Sequence, residues 1–563
     1  MTDPSPLGHP APRPLSPWVW TSIVVFLAIW FYMLGARTLV PTDEGRYAEM
    51  AREMVVSGDW ITPRLNAIKY FEKPPLQTWM NAITFELFGL GEWQARLWTG
   101  LTGLFGVFLL GYTGTRVFNP RVGITAAAVL ASSFWWAGMG HVNSLDMGLS
   151  GMMTLALCGL MLAQRDQATP TQQRNGMLLC WLGMALATLS KGPMGIVLPG
   201  AVLFIYSVVA RDGLIWRRLH LVKGLLLFFA VTTPWFVLVS RANDEFLHFF
   251  FIHEHWERFT SKVHHRDGPW FYFIPLLVLG IFPWLGLLLQ SLWRSVRQQS
   301  SGFQPTRLLL VWSVFIFLFF SVSSSKLPSY ILPVFPALAL LIACHLERKA
   351  YRGLIACGLL MSLFGLAGLG VWTFSDAIPA LNRNAYEAVL NRAYLPWVGV
   401  VSLLMFLSGI GVCILSRIHP QRTVWLLAWS GFMAGQLLML GYEPWGRYIA
   451  GVEHLAAIQQ ELKPETPLYA VGQYEQALPF YLRHTMILVE HPDEMEFGLQ
   501  HEPQLWIPKR DDFVQQWLAH QKTGITAMAI LRPDIYRTFS GQGLPMRVLS
   551  QDPRRVIVSS KLN

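Results

Sequence analysis

Apolar runs of about 20 residues, the length that crosses a bilayer as a helix, alternate with short charged connectors along most of this chain. Thirteen segments read as spans: 18–39, 82–115, 122–140, 147–164, 175–190, 192–210, 220–240, 270–293, 307–324, 330–346, 353–375, 395–416 and 423–441. The second is too long for one span and is expected to include an interfacial piece near Gly89–Glu92. Between the first two lies a stretch of different character, PTDEGRYAEMAREMVVSGDWITPRLNAIKYFEKPPLQTW, from Pro41 to Trp79. Within it Tyr47, Met50, Ala51, Met54 and Val55 recur at helical spacing. Asp43 and Glu44 stand where a helix N-terminus favours negative charge, Thr42 suits the N-cap and Gly58 the stop. The pattern predicts an amphipathic helix over 43–57, lying along a membrane surface. A proline-held turn at Glu72-Lys73-Pro74-Pro75 closes the stretch.

Beyond residue 441 the long apolar runs stop. Leu468–Val471, Met486–Val489, Ala527–Leu531 and Arg547–Leu549 read as short strands, with a helix around Glu475–Leu482. They predict a small α/β domain with a structural or substrate-gating role, without a glycine-rich phosphate loop or a metal cluster. The first 17 residues, rich in proline, read as a disordered tail. The apolar run behind them has no small-residue cleavage site and reads as a retained span. The expected organisation is a tail over 1–17, a transmembrane domain over 18–441 containing the 41–79 loop, and an α/β domain over 442–563.

Composition agrees: 53% of the 563 residues are hydrophobic and 14% charged, with a mean hydropathy of +0.37. This is the profile of a polytopic α-helical membrane protein. The net charge of +10 is no nucleic-acid signal, because the bases sit between spans. Arg116/Arg121, Arg165/Arg174, Arg211/Arg217/Arg218/Lys223, Arg294/Arg297/Arg307, Arg348/Lys349/Arg352 and Arg417/Arg422 all fall on one side. The positive-inside rule makes that side cytoplasmic. The 41–79 loop, His141–Asp146, the turns at 190–192 and 323–328, residues 241–269 and the α/β domain then face outward. All five cysteines lie in apolar segments and read as buried small hydrophobes.

The outward loops carry the chemistry. Asp43 and Asp146 come from separate spans to one face, as a glycosyl-transfer site requires: one carboxylate orients an acceptor, and negative charge steadies an oxocarbenium-like transition state. As plain structure, Asp43 would be a helix-dipole partner or pair with Arg46, and Asp146 would be solvated at the interface. Arg46, Lys73, Lys191, Arg258 and Lys326 form a set of outward bases. Lysines in tight outer turns, Ser-Lys-Gly-Pro and Ser-Ser-Lys-Leu-Pro, suit phosphate binding, against which stands snorkelling to the interface. Tyr47, Tyr70 and Tyr330 are hydrogen-bond donors for phosphate or sugar, or members of an aromatic belt.

The run His253-Glu254-His255-Trp256-Glu257-Arg258 is not the HExxH zinc motif, since Glu257 takes its fifth position. With Glu72 from the first loop it offers a divalent-ion site; the plainer reading is ion pairs along a helix, Glu254 with Arg258. A Walker loop, a GxGxxG fingerprint and the acid-any-acid motif of nucleotide-sugar transferases are absent. That argues against a soluble nucleotide donor and against ATP-driven transport.

Taken in order, DEGRYAEMAREMVVSGDW, YFEKPP, NSLD, SKGP, FFFIHEHWERF and SKLPSYIL resemble the blocks of the bacterial aminoarabinose transferases that modify lipid A. These are GT-C type integral-membrane enzymes of the protein O-mannosyltransferase superfamily. The resemblance covers about residues 41–335. It implies transfer of 4-amino-4-deoxy-L-arabinose from undecaprenyl phosphate to lipid A phosphates at the periplasmic side of the inner membrane. Such enzymes lower surface negative charge and give resistance to polymyxin. It also implies Asp43 and Asp146 as the critical acids, with Lys73, Arg258, Lys326 and Tyr330 facing the donor phosphate. No cofactor is implied for transfer, though a structural divalent metal such as zinc would sit at Glu72 and His253. Gly45 departs from the family, which more often has threonine there. The competing readings are a relative acting on another lipid or on protein hydroxyls, and a lipid-linked sugar flippase. The partners expected are the lipid-linked donor, lipid A and membrane lipid, with a monomeric enzyme.

The topology is directly testable. Reporter fusions after residues 215, 300 and 350 should read cytoplasmic, and fusions after 260 and 563 periplasmic; two contradictory fusions would require the spans to be redrawn.

Overall fold

In an apolar medium backbone amides find partners only within a helix or a closed barrel. All thirteen apolar segments accordingly fold as helix, whole or broken, in the computed structural model, which describes residues 17–257, 268–297, 302–348 and 351–562. The tail expected before residue 17 lies outside them. The bundle begins with α1 (Pro17–Leu34), α2 (Asp43–Ser57), α3 (Leu76–Phe88), α4 (Glu92–Val117), α5 (Pro120–Ser132) and α6 (Phe134–Met139). It continues with α7 (Leu145–Gln164), α8 (Pro170–Lys191), α9 (Met194–Ala210) and α10 (Leu221–Ala242). After a π-helical stretch over His248–Glu257 come α11 (Phe273–Gly280), α12 (Leu285–Arg297), α13 (Pro305–Val322) and α14 (Phe335–Leu346). The last spans are α15 (Tyr351–Thr373), α16 (Ala385–Ile418) and α17 (Pro420–Gly441).

Among the described residues nine helices are long and apolar enough to cross a membrane, and a tenth if α11 and α12, bent by 108°, count as one span. The other expected segments fall on α5–α6, α8 and α9, which are shorter or more polar. The overlong second segment is interrupted between Phe88 and Glu92, as its length required. α7 is buried along its full apolar window and forms the centre of the bundle, whereas α1, α10 and α15 leave most of theirs exposed, as lipid-facing helices do.

The charged stretch folds as α2, ending at Gly58 in the left-handed region (φ 70°) with its N–H on the Met54 carbonyl. One expectation fails here. Thr42 makes no side-chain cap; the Glu44 carboxylate accepts from the Val40 amide instead, at 2.9 Å. Every residue of α2 from Glu44 to Met54 is buried. The C-terminal region packs on the helix. Tyr47 and Met50 share a core with Leu468, Tyr474 and Leu478. A Cβ on Gly45 would stand 2.5 Å from the Gln476 carbonyl oxygen, so the departure from threonine lets the two backbones meet.

A two-stranded hairpin, β1 (Arg64–Leu65) and β2 (Ile68–Lys69), follows α2. The C-terminal sheet contains β3 (Leu468–Val471), β4 (Ile487–Val489), β5 (Trp506–Ile507), β6 (Met528–Leu531), β7 (Arg547–Gln551) and β8 (Val556–Ser559). Its order is β5-β4-β3-β6-β8-β7, with β5-β4-β3-β6 parallel and β8 antiparallel to both neighbours. The α/β expectation holds, with β5 and β8 added to the four strands foreseen.

One buried ion pair ties these parts together. Arg96 on α4, fully buried, donates to both Glu44 oxygens at 2.6 and 3.0 Å and to the carbonyls of Leu34, Arg37 and Thr38. Glu44 also accepts from the Asn143 amide at 3.0 Å. Burial alone would raise the Glu44 carboxyl, but Arg96 and Arg37 outweigh it and pull it down to about 2. A folded value below the unfolded one makes this stabilisation present above the ordinary carboxylate range, and it is lost only as pH falls toward about 2. Glu44→Gln should strand the Arg96 charge and destabilise the protein by about 3 kcal/mol or more. Thermal unfolding in detergent measures this; an unchanged midpoint would show the pair to be dispensable.

Candidate active site

The sequence-predicted site residues gather at the end of the bundle beneath the α/β region, in two adjoining groups. The first surrounds a cavity of about 100 Å³ lined by Lys73, Asp146, Lys191, Tyr330 and Glu254, with Phe319 and Phe320 as its apolar wall. Asp146 sits in the first turn of α7, where the helix dipole favours a carboxylate. One of its oxygens pairs with Lys191 at the end of α8, and the other accepts from Ser329 Oγ at 2.8 Å. The Lys191 ammonium also stands 4.4 Å from the centre of the Tyr330 ring. Lys73 Nζ is 3.2 Å from Glu254 and donates to the Glu72 carbonyl at 2.8 Å. Lys326 is buried and donates at 2.6 Å to the carbonyl of Ser323, a cavity residue.

The second group joins α2 to the α/β region. Arg46 meets Glu494 at 2.5 Å, donates to Tyr70 Oη at 3.2 Å, and lies 3.8 Å from Asp43. Tyr70 in turn donates to Glu494 at 2.7 Å. Burial would lower the Arg46 guanidinium, but Tyr70, Glu494, Tyr47 and Asp43 outweigh it and hold it well above its ordinary value. Tyr47 and Tyr70 are pushed well above the ordinary phenol range, chiefly by burial, and stay protonated donors.

Asp43 and Glu72 link the groups. The Asp43 side chain is 42% exposed against 6% for Asp146, so Asp43 is part-exposed while Asp146 is held in the cavity wall. The Asp43 charge acts on Tyr47 and on Lys191, and that of Glu72 on Tyr47 and Tyr70. Glu72 is buried, its carboxylate 3.7 Å from Lys73. His253 stacks on Phe249 within the π-helical stretch. Arg258 lies outside the described residues. Among those described, no three His, Cys, Asp or Glu side chains come together as a metal-holding group, whereas a structural zinc takes four ligands.

Three residues of the site were not singled out from the sequence. Glu494 lies 448 positions from Arg46 and carries no local signal. Ser329 stands within the SKLPSYIL block, and its place beside Tyr330 was the available hint. Glu254 was expected to pair with Arg258, which lies outside the described residues; the structure also shows it reaching across to Lys73.

Known proteins resemble this chain in sequence and fold. The family described as Aminoarabinose transferase C-terminal domain matches residues 454–560, and that described as Dolichyl-phosphate-mannose-protein mannosyltransferase matches 72–238. The undecaprenyl phosphate-alpha-4-amino-4-deoxy-L-arabinose arabinosyl transferase of Edwardsiella ictaluri is 31% identical over 537 residues, 91% of this chain and 93% of its own. The chain belongs to the aminoarabinose transferase family. The crystal structure of ArnT from Cupriavidus metallidurans bound to undecaprenyl phosphate matches it with a TM-score of 0.90 at 40% identity, covering 97% of this chain and 98% of that one. The apo crystal structure gives 0.89. As a member of this family the protein is a multi-pass membrane glycosyltransferase of the GT-C fold, as the sequence blocks implied.

Because Asp146 and Lys191 hold one another, they should act as a unit. Asp146→Asn and Lys191→Ala are each expected to lower turnover by about 30- to 1000-fold. The double variant should be little worse than the poorer single one. Multiplying losses in a purified transfer assay would mean that the two act independently.

Proposed function

We propose that the protein transfers 4-amino-4-deoxy-L-arabinose from undecaprenyl phosphate to a phosphate of lipid A, at the periplasmic face of the bacterial inner membrane. The observation that carries this reading is the cavity where Lys73, Lys191 and Tyr330 meet Asp146, at the bundle end where α7 begins and α8 finishes. Two phosphates must meet in such a reaction, one leaving and one attacking, and lysines are the groups that tolerate both. An acceptor phosphate oxygen forms a bond to the anomeric carbon as the bond from that carbon to the donor phosphate oxygen breaks. The electron pair departs with undecaprenyl phosphate. The attacking oxygen is already ionised, so no strong general base is required.

The cations stabilise the leaving phosphate as its charge develops. Arg258, as the family resemblance implies, belongs with them. Arg46, Tyr47 and Tyr70 supply donors on the side of the α/β region. The half-exposed Asp43 carboxylate faces positive charge, either on the donor's amine or developing on the sugar ring. Capping a lipid A phosphate with an aminated sugar lowers surface negative charge, which accounts for resistance to polymyxin and cationic peptides.

The names of the relatives and the bound lipid of the Cupriavidus structure support the donor. Lipid A is the acceptor on chemical grounds, and the enzyme acts as a monomer. A flippase is disfavoured because a transporter holds its substrate near the midplane on broken helices, whereas Asp146 and Lys191 lie at helix ends. The reaction needs no cofactor. A divalent ion held by Glu72 and His253 would order the loop and take no part in transfer, so EDTA-treated enzyme should keep its activity; loss restored only by metal would contradict this.

Mass spectrometry of lipid A tests the assignment. In a strain lacking its own transferase, this chain should add the mass of aminoarabinose. Asp43→Asn should reduce the addition by about 100-fold, against the 0.3–1 kcal/mol at stake for a mere helix-dipole partner. Unmodified lipid A despite confirmed membrane expression would refute the acceptor and donor together.

A further inference from the structure

A second cavity, of about 600 Å³, opens at the opposite end of the bundle. α4 fixes its position: it begins at Glu92 beside the Glu44–Arg96 pair and runs for 26 residues to Val117, about 39 Å at 1.5 Å per residue. Arg121, at the start of α5, lines the cavity just beyond that far end. The last turn of α14 and the reversal from α16 to α17 close it.

Its lining is divided by chemistry. Ile124, Ala128, Leu346, Leu354 and Val424 make an apolar floor between helices, while Arg121, Arg422 and His419 stand at its rim. Glu347, the one acid among the lining residues, is held by a hydrogen bond from Asn119. Among the described residues neither rim guanidinium pairs with a carboxylate. Val19 of α1 and the part-exposed Trp425 of α17 also line it, on faces that border lipid.

We infer that this cavity binds an anionic phospholipid from the leaflet on that side, its phosphate between Arg121 and Arg422 and its upper acyl chains on the apolar floor. The volume lies within the range of small-molecule sites. Two guanidiniums make bidentate contacts with phosphate oxygens, and basic pockets between transmembrane helices are where anionic headgroups settle. A soluble anion would leave the floor uncovered, and a zwitterionic lipid would bring no net charge to the rim. The site stands about a membrane thickness from Asp146, so it is separate from the transfer chemistry.

Native mass spectrometry of the full chain in neutral detergent tests this, with phosphatidylglycerol and phosphatidylcholine of equal chain length as probes. The wild-type protein should retain phosphatidylglycerol preferentially, and the variant Arg121→Gln/Arg422→Gln should lose that preference by about 10- to 30-fold with its unfolding midpoint unchanged. Ala128→Phe keeps the charges but fills the floor, and it should weaken retention of both lipids. Equal retention of the two lipids by the wild type would overturn the inference. So would displacement by millimolar inorganic phosphate, which would make the site one for a free anion. Phosphatidylglycerol binding that begins only when residues 1–16 are deleted would give the cavity to that segment instead.

Discussion

The ion pair between Arg96 and Glu44 is the constraint on which the site depends. A fully buried guanidinium is tolerable only if its donors are met, and Arg96 meets them with one carboxylate and three carbonyls of the segment leading into α2. Glu44 uses the same carboxylate to take the Asn143 amide, three residues before Asp146, while Asn143 accepts from Gln77 and Asn81 on α3. A single buried charge thereby fixes α2 to α4 and to the turn that starts α7. Asp43 and Asp146, which come from distant parts of the chain, take their relative places from it.

Around that anchor the acids and bases of the site pair with one another: Asp146 with Lys191, Lys73 with Glu254, Arg46 with Glu494. Part-buried cations held this way avoid the cost of standing alone. On the proposed reading, a phosphate entering the cavity would compete with a carboxylate already in place, so binding would exchange one ion pair for another. The α/β region is part of this arrangement. It supplies Glu494 to Arg46 and Tyr70, and it packs on Tyr47 and Met50 of α2.

Much of this was legible in the sequence. The length of apolar runs located the helices, and α2 was bounded correctly because helix periodicity and the terminal glycine agreed. Lys73, Asp146, Lys191 and Tyr330 were recognisable because charge and aromatics concentrated in short outer turns are unusual in such a chain. What escaped was long-range. Arg96 sits inside an apolar segment and Glu494 in a strand-and-turn region, and neither has a neighbour in sequence that states its partner. The burial of α2 was hidden for the same reason, since its amphipathic pattern records two faces without saying what covers either. The α11–α12 bend of 108° was likewise hidden in an apolar run of ordinary length.

The central claim is that the Asn143 side chain, which donates to the Glu44 carbonyl at 3.2 Å and accepts from Gln77 and Asn81, places the two carboxylates for transfer. Asn143→Ala in the folded, purified enzyme tests it with two readings, undecaprenyl phosphate affinity and turnover. Misplacement of a reacting group by about 1 Å costs on the order of 100-fold in rate, while the cations proposed to face the phosphate are untouched. Turnover should therefore fall by about that factor with affinity held within about 3-fold. Turnover at the wild-type rate would contradict the account.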